Sequence, residues 1–164
     1  MNDSFSTASK PDIVVRDAAT VILAREENSK IEVCMLERNL KSDFVGGAYV
    51  FPGGAVDAGD DSPELEWFSP HFTSSEANRA LGVESGGLSF FVAAIRESLE
   101  EAGLFMASFK GDDELLSTLD LQVRDNFNVY REELNSKRKT FIEILKSNNI
   151  SIRPDKLFFF LADG

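Results

Sequence analysis

One cysteine and one histidine in 164 residues leave little material for several common chemistries. Cys34 has no second cysteine to pair with inside the chain, and its apolar neighbours suit a buried, inert thiol rather than a nucleophile. His71 by itself supports neither a Ser-His-Asp nor a Cys-His arrangement, and no cysteine–histidine spacing suits zinc. We read His71 as a surface residue. Basic charge is also scarce: 17 Lys and Arg stand against 28 Asp and Glu, a formal net charge of −11. Surfaces that bind nucleic acid or acidic membranes need clustered Lys and Arg, so neither is an expected partner. Long apolar runs are missing too, since "FFVAAI" and "LFFFLA" fall far short of a membrane span. The opening "MNDSFSTASKPD" has no basic start followed by an apolar stretch, and "ADG" at the end is no peroxisomal address. The expected compartment is a reducing cytoplasm.

What is present is ordinary for a globular domain: 43% apolar and 27% charged residues. The length suits one domain with a sizeable core. Residues 1–12 read as a loose polar tail, and residues 13–164 as a single domain. "DAATVILARE" (17–26) and "IEVCMLER" (31–38), rich in β-branched and aliphatic residues, flank the turn-like "ENSK" and predict a hairpin. "NLKSDFVGG" (39–47) reads as a loop. "AYVFPGGAV" (48–56) predicts a short strand broken by Pro52 and the glycine pair. Between Asp57 and Ser89 short helices are expected around "ELEWF" and "SSEANRAL". A longer helix, 88–102, should stop at Gly103. Helical patterns cover 112–148, with Phe141, Ile142 and Leu145 as a core stripe, and Lys156–Leu161 predicts a final strand.

The helix 88–102 carries "AAIRESLEEAGL", three glutamates within five positions of an apolar segment. At 100° per residue Glu97, Glu100 and Glu101 share an arc of about 100°. Leu88, Phe91, Val92, Ile95, Leu99 and Ala102 occupy the opposite face. A solvated acidic face is the plain reading. However, such a face usually interleaves Lys with Glu, and here Arg96 is the one base between Ala93 and Leu104. The segment upstream, "FPGGAVDAGD", adds paired glycines, which let backbone approach a ligand closely. Glycines beside an acidic helix could hold a metal–phosphate complex, because hard cations such as Mg²⁺ combine carboxylates with substrate phosphates.

These residues resemble the Nudix box, Gly-x5-Glu-x7-Arg-Glu-U-x-Glu-Glu-x-Gly-U, where U is aliphatic. Arg96, Glu97, Glu100, Glu101, Gly103 and Leu104 match its helical half, with Ser98 in place of the first aliphatic. "FPGGAVDAGD" resembles the glycine half, Gly54 being the box glycine and Asp60 standing where the box has glutamate. The halves are separated by an insertion at about residues 61–88. A rival alignment puts the box glycine at Gly82, but Leu88 then occupies the glutamate place, and Gly82 lacks the FPGG context. Such a split box is similar to the Nudix subgroup that includes acyl-coenzyme A diphosphatases. Arg38 and Gly47 match the coenzyme A motif upstream of FPGG, whereas Asp43 stands where that motif has a second arginine. A lid and a dimer contact are both open as uses of the insertion.

The resemblance implies an α/β (α+β) fold, a Nudix-type mixed β-sheet sandwiched between helices, with the helical insertion inside the box. It implies metal-dependent cleavage of a pyrophosphate bond in a nucleoside diphosphate linked to another moiety, with coenzyme A and dinucleotides as candidates. Glu97, Glu100 and Glu101 would hold Mg²⁺ or Mn²⁺, Glu100 being also a candidate proton acceptor, and Arg96 would orient Glu97. Gly53 and Gly54 would give backbone room for substrate, and Arg38 would meet a phosphate. The partner is then a small-molecule nucleoside diphosphate derivative, with a homodimer as a further expectation. Nudix members typically carry more strands and a helix after the box, often with an additional catalytic acid, so truncation at the C-terminus is expected. The alternative function is a Nudix-derived module that binds a nucleotide or a protein without hydrolysis.

Overall fold

The computed structural model describes residues 15–38 and 47–159. The polar tail 1–12, Asp43 and most of the loop 39–47 lie outside the described residues, as does the end of the chain from 160. Six short strands form the N-terminal half: β1 (Ala18–Thr20), β2 (Ala24–Glu27), β3 (Lys30–Val33), β4 (Leu36–Glu37), β5 (Tyr49–Val50) and β6 (Gly53–Ala55). The hairpin is β2 with β3, antiparallel from Ala24↔Val33 to Glu27↔Lys30. Its turn residues Asn28 and Ser29 have φ of 51° and 59°. Positive φ at both central positions matches the right-handed twist of the flanking strands. The ladder gains one more bond, Cys34 N–H to the Leu23 carbonyl at 2.8 Å. Cys34 is half-buried rather than buried, because β2 and β3 stand out in solvent with every residue exposed.

β1 turns the chain back onto the glycine segment. It pairs antiparallel with β6, Ala18↔Ala55 through Thr20↔Gly53. A Cβ on Gly53 would lie 2.4 Å from the Ala19 carbonyl oxygen, so only glycine permits this approach. β4 pairs antiparallel with β5, Leu36↔Val50 and Glu37↔Tyr49.

The insertion is part of the core. A 3₁₀ turn (Pro63–Phe68) buries Leu65, and α1 (Ser74–Leu81) buries Ala77. Thr73 and Glu76 form a reciprocal cap at the start of α1, which the pattern Thr-x-x-Glu favours. α2 (Gly87–Glu97) starts where α1 crosses it. A Cβ on Gly87 would lie 2.7 Å from the Asn78 backbone nitrogen, and the Asn78 side chain accepts from the Gly87 N–H at 2.7 Å. Phe72 meets Phe91 edge-on, ring centroids 4.9 Å apart. Of the two uses left open for the insertion, a lid does not match this packing.

α2 buries Val92 and Ile95 completely, and Leu99 beyond it as well. Its last turn, Ser98–Ala102, is a π turn closed by Gly103 in the left-handed region, φ 67°. The Ser98 hydroxyl is buried there and donates to the Ala94 carbonyl at 2.7 Å, so a polar side chain sits in an aliphatic place without an orphaned group. After it come β7 (Ala107–Phe109), α3 (Leu121–Asn135), α4 (Phe141–Asn148) and β8 (Ile150–Ile152). Phe141 and Leu145 are buried and Ile142 is partly buried against the same core. β7 pairs antiparallel with β8, Ala107↔Ile152 through Phe109↔Ile150.

Residues 112–120, expected to be helical, are turns and irregular chain before α3, and the expected final strand fails as well. Lys156–Leu161 is not a strand over its described part: Pro154–Lys156 form a 3₁₀ turn, and 157–159 have no regular structure. Pro154 starts that turn and turns the chain out of β8, leaving Phe158 exposed. The strand of this region is β8, three residues long and too short for alternation to reveal. Among the described residues, no helix is long and apolar enough to cross a membrane.

Candidate active site

Two segments 36 positions apart meet at Arg96. The Asp60 carboxylate accepts from Arg96 Nε at 2.9 Å and from Nη2 at 2.8 Å, a two-pronged pair with both side chains buried. Nη2 also donates to the Ala55 carbonyl at 2.9 Å, joining the helix to β6. Nη1 reaches Glu97 at 2.8 Å and Glu100 at 3.3 Å. Asp60 does a second job: its Oδ2 accepts from the Asp57 N–H at 2.8 Å, closing the 3₁₀ turn Ala58–Asp61. The shorter arm of aspartate suits a carboxylate that must stay near its own turn while gripping the guanidinium.

Gly54 faces Glu97 directly. A Cβ there would lie 2.4 Å from Glu97 Oε1, so the glycine leaves the room that this carboxylate fills. Gly82 has no such role; it caps α1 with φ 68° and has nothing within 4 Å of a built Cβ. Leu88 lies in the core. The contacts at Gly54 and Asp60 match the split alignment and contradict the rival one.

Charge is unevenly balanced around this knot. Burial opposes the charge on Arg96, but its bonds to Asp60 and then Glu97 outweigh that, and the guanidinium is held charged more firmly than usual. Glu100 moves the other way. Burial comes first in raising its pKa, and the neighbouring charges of Glu97 and Asp57 add to it, against the lowering effect of Arg96. Four carboxylates thus surround one arginine, with Asp57 the most distant at 3.8 Å. A surplus of negative oxygen donors of this kind is chemically suited to a hard divalent cation. Among the described residues, no three His, Cys, Asp or Glu side chains converge as a ready-made cage.

Glu101 turns away from the knot. It is exposed, and its Oε2 accepts from the Gly53 N–H at 3.0 Å. Both groups line an open cleft of about 700 Å³, together with Thr20, Glu37, Arg38 and Phe51. The cleft therefore brings Arg38, Gly53 and Glu101 together, while Arg96, Glu97 and Glu100 gather beside Gly54.

No family model matches the chain. Its relatives include the acyl-coenzyme A diphosphatase NUDT19 of Xenopus laevis, 27% identical over 74% of this chain and 38% of that protein. The protein of the same name from Gallus gallus is 31% identical over 56% of this chain and 32% of that protein. A crystal structure of a Nudix hydrolase from Alicyclobacillus acidocaldarius superimposes with a TM-score of 0.52. It covers 87% of this chain and 59% of that one, at 21% identity, and establishes the fold. The chain is similar to acyl-coenzyme A diphosphatases and has the fold of a Nudix hydrolase. The chain spans less than two fifths of the length of these curated relatives.

The two segments that resemble the halves of a Nudix box are brought together across the insertion, with the buried Asp60–Arg96 ion pair at the centre. The helical wheel predicts Glu97, Glu100 and Glu101 on one face, whereas the structure divides them, Glu97 and Glu100 on Arg96 and Glu101 on Gly53. The π turn follows Glu97 and contains Glu100 and Glu101, departing from the regular helical wheel that the expectation assumed. Thr20, Glu37 and Asp57 were not anticipated. Thr20 could have been found from strand pairing opposite Gly53, but Glu37 and Asp57 carry no signal beyond ordinary surface polarity.

Proposed function

We propose that this protein hydrolyses a pyrophosphate bond in a nucleoside diphosphate linked to another group. The observation that carries the reading is the buried Asp60–Arg96 pair, which draws the glycine segment and the acidic helix together across the insertion. The cleft offers the chemistry such a substrate needs. Arg38 can meet phosphate charge, Phe51 gives an apolar wall, and Gly53 leaves backbone room. Coenzyme A derivatives are the first substrates to try. NUDT19 of the two relatives is named as an acyl-coenzyme A diphosphatase, and Arg38 and Gly47 fit that motif.

Glu97, Glu100 and Glu101 would hold Mg²⁺ or Mn²⁺. The ion, when bound, supplies Lewis acidity and lowers the pKa of a coordinated water. Arg96 orients Glu97 and fixes its carboxylate against Gly54. Glu101 keeps its carboxylate at the cleft wall through the Gly53 N–H. Glu100, whose proton affinity is raised mainly by burial, is the group best suited to accept a proton from an attacking water. Attack at phosphorus breaks the P–O–P link and leaves two phosphate monoesters. We place this activity in the cytoplasm.

The test is incubation with coenzyme A, ADP-ribose or NADH plus Mg²⁺, with release of the monophosphate halves followed by chromatography. Turnover of one substrate class that stops on chelation is expected. Nucleotide binding with no turnover of any substrate would overturn the hydrolase reading and leave a binding module.

A further inference from the structure

The end of the acidic helix poses an accounting problem. Any helix leaves its last carbonyls without intrahelical donors. Here Gly103 turns the chain away, its N–H bonding to the Leu99 carbonyl at 3.0 Å, and Leu104 N–H bonds back to the Ser98 carbonyl at 3.2 Å. Those bonds leave the carbonyls of Glu100 and Glu101 to be met from elsewhere. Arg131 of α3 meets both. Its Nε donates to the Glu100 carbonyl at 2.7 Å and its Nη2 to the Glu101 carbonyl at 2.8 Å. Asn135, one helical turn further on, donates to the Glu100 carbonyl at 3.3 Å.

The fit is specific to this place. Arg131 Cδ passes 4.0 Å from where a Cβ on Gly103 would stand, so the stem of the arginine runs over the bare glycine. A cation at the negative end of a helix is also favoured by the helix dipole. The guanidinium fork spans two successive carbonyls, a geometry that a lysine ammonium cannot reproduce. Both carbonyls belong to glutamates assigned to the reaction above, and α3 lies outside the motif that carries them.

We propose that Arg131 and Asn135 are positioning residues of the active site, holding the π turn so that the Glu101 carboxylate stays on the Gly53 N–H. The reactive edge of the site is then braced from two sides, by Asp60 through Arg96 and by α3 through the backbone of Glu100 and Glu101. The importance of this brace for turnover rests on the hydrolase reading, whereas the brace itself can be measured without any substrate.

The experiment is amide hydrogen exchange on the whole chain, resolved by residue, for wild type, Arg131→Met, Asn135→Ala and the control Arg138→Met. Arg138 sits beyond α3 and pairs with exposed Glu132, so its loss removes the same charge without touching the turn. Arg131→Met should speed exchange at Gly103 and Leu104 about tenfold, as expected for loss of hydrogen bonds to a charged donor. The same variant should speed exchange at Gly53, 48 positions away from Glu101. Asn135→Ala should move the same three amides less, and it serves if Arg131→Met fails to fold. Arg138→Met should leave all three unchanged. Unaltered exchange at Gly103 and Leu104 would overturn the proposal, and so would faster exchange there with Gly53 unaffected. On any substrate found to turn over, kcat of Arg131→Met should fall by about tenfold to a hundredfold with little change in KM, the signature of misplacement rather than lost binding. Unchanged kcat with faster exchange would also overturn it. If wild type turns over nothing, the hydrolase reading falls, and the three amides still decide whether the brace exists.

Discussion

Two arginines lie beside the glycine segment in opposite surroundings. Arg96 is 6% exposed, faced by four carboxylates and one carbonyl. Arg38 is exposed at the wall of an open cleft. The first is held by the folded protein for its own integrity, since an unpaired buried guanidinium is costly. The second faces a space that solvent or ligand can fill. The glutamates divide along the same line: Glu97 and Glu100 are tied to the buried base, and Glu101 is exposed with the Gly53 amide as its contact. One helix therefore carries Glu97 and Glu100, whose loss should register in both stability and turnover, and Glu101, whose loss should register in turnover alone.

The largest effect should come from the buried side. Asp60→Ala strands Arg96 without its two-pronged partner, and urea denaturation should show a loss of about 3–5 kcal/mol. A loss near zero would mean that the knot does not anchor the fold. Next is Glu101→Gln, on the exposed side. Turnover should drop by about a hundredfold or more, while stability stays within about 0.5 kcal/mol. Wild-type rates in that variant would erase the division between the two regions. Smaller again is Gly54→Ala, which puts a methyl against Glu97. The flexible carboxylate can shift, so thermal unfolding should report about 1–3 kcal/mol of overpacking.

The smallest effect lies outside both regions and serves as their baseline. Hydrogen bonding from Arg153 holds the Asp155 carboxyl below its usual pKa, against the opposing effect of burial. A depressed acid contributes stability above its unfolded pKa of about 3.9 and loses it as pH falls through the lower folded value. Solvent screening keeps this to at most about 1 kcal/mol. Asp155→Asn should therefore cost a little at neutral pH, with the gap to wild type closing as the pH drops below about 4. A gap that persists in acid would assign the effect to packing instead.

How much of this was legible beforehand depends on how local each feature is. The hairpin turn at Asn28–Ser29, the core face of α2 and the stop at Gly103 follow from short-range pattern, and all three appear where periodicity and glycine place them. Gly54 and Asp60 were found through the motif and its spacing. β7 and β8 were missed because three residues cannot display alternation, and their pairing joins Ala107 to Ile152 across both later helices. Arg131 was invisible for a related reason. Its partners are backbone carbonyls, which every residue has, so nothing in its neighbourhood announces the contact.

Splitting the motif also changes how its halves are joined. In an uninterrupted box the acid and the arginine are near neighbours along the chain; here they close a loop of 36 positions. Loop closure grows only logarithmically more costly with length, so such an extension is tolerated. Yet the loop is not slack, because α1 crosses α2 at Gly87 before the chain reaches Arg96. The acid and its base are thus joined through a segment that itself packs into the core, and a cut anywhere within that segment would sever the covalent link between them.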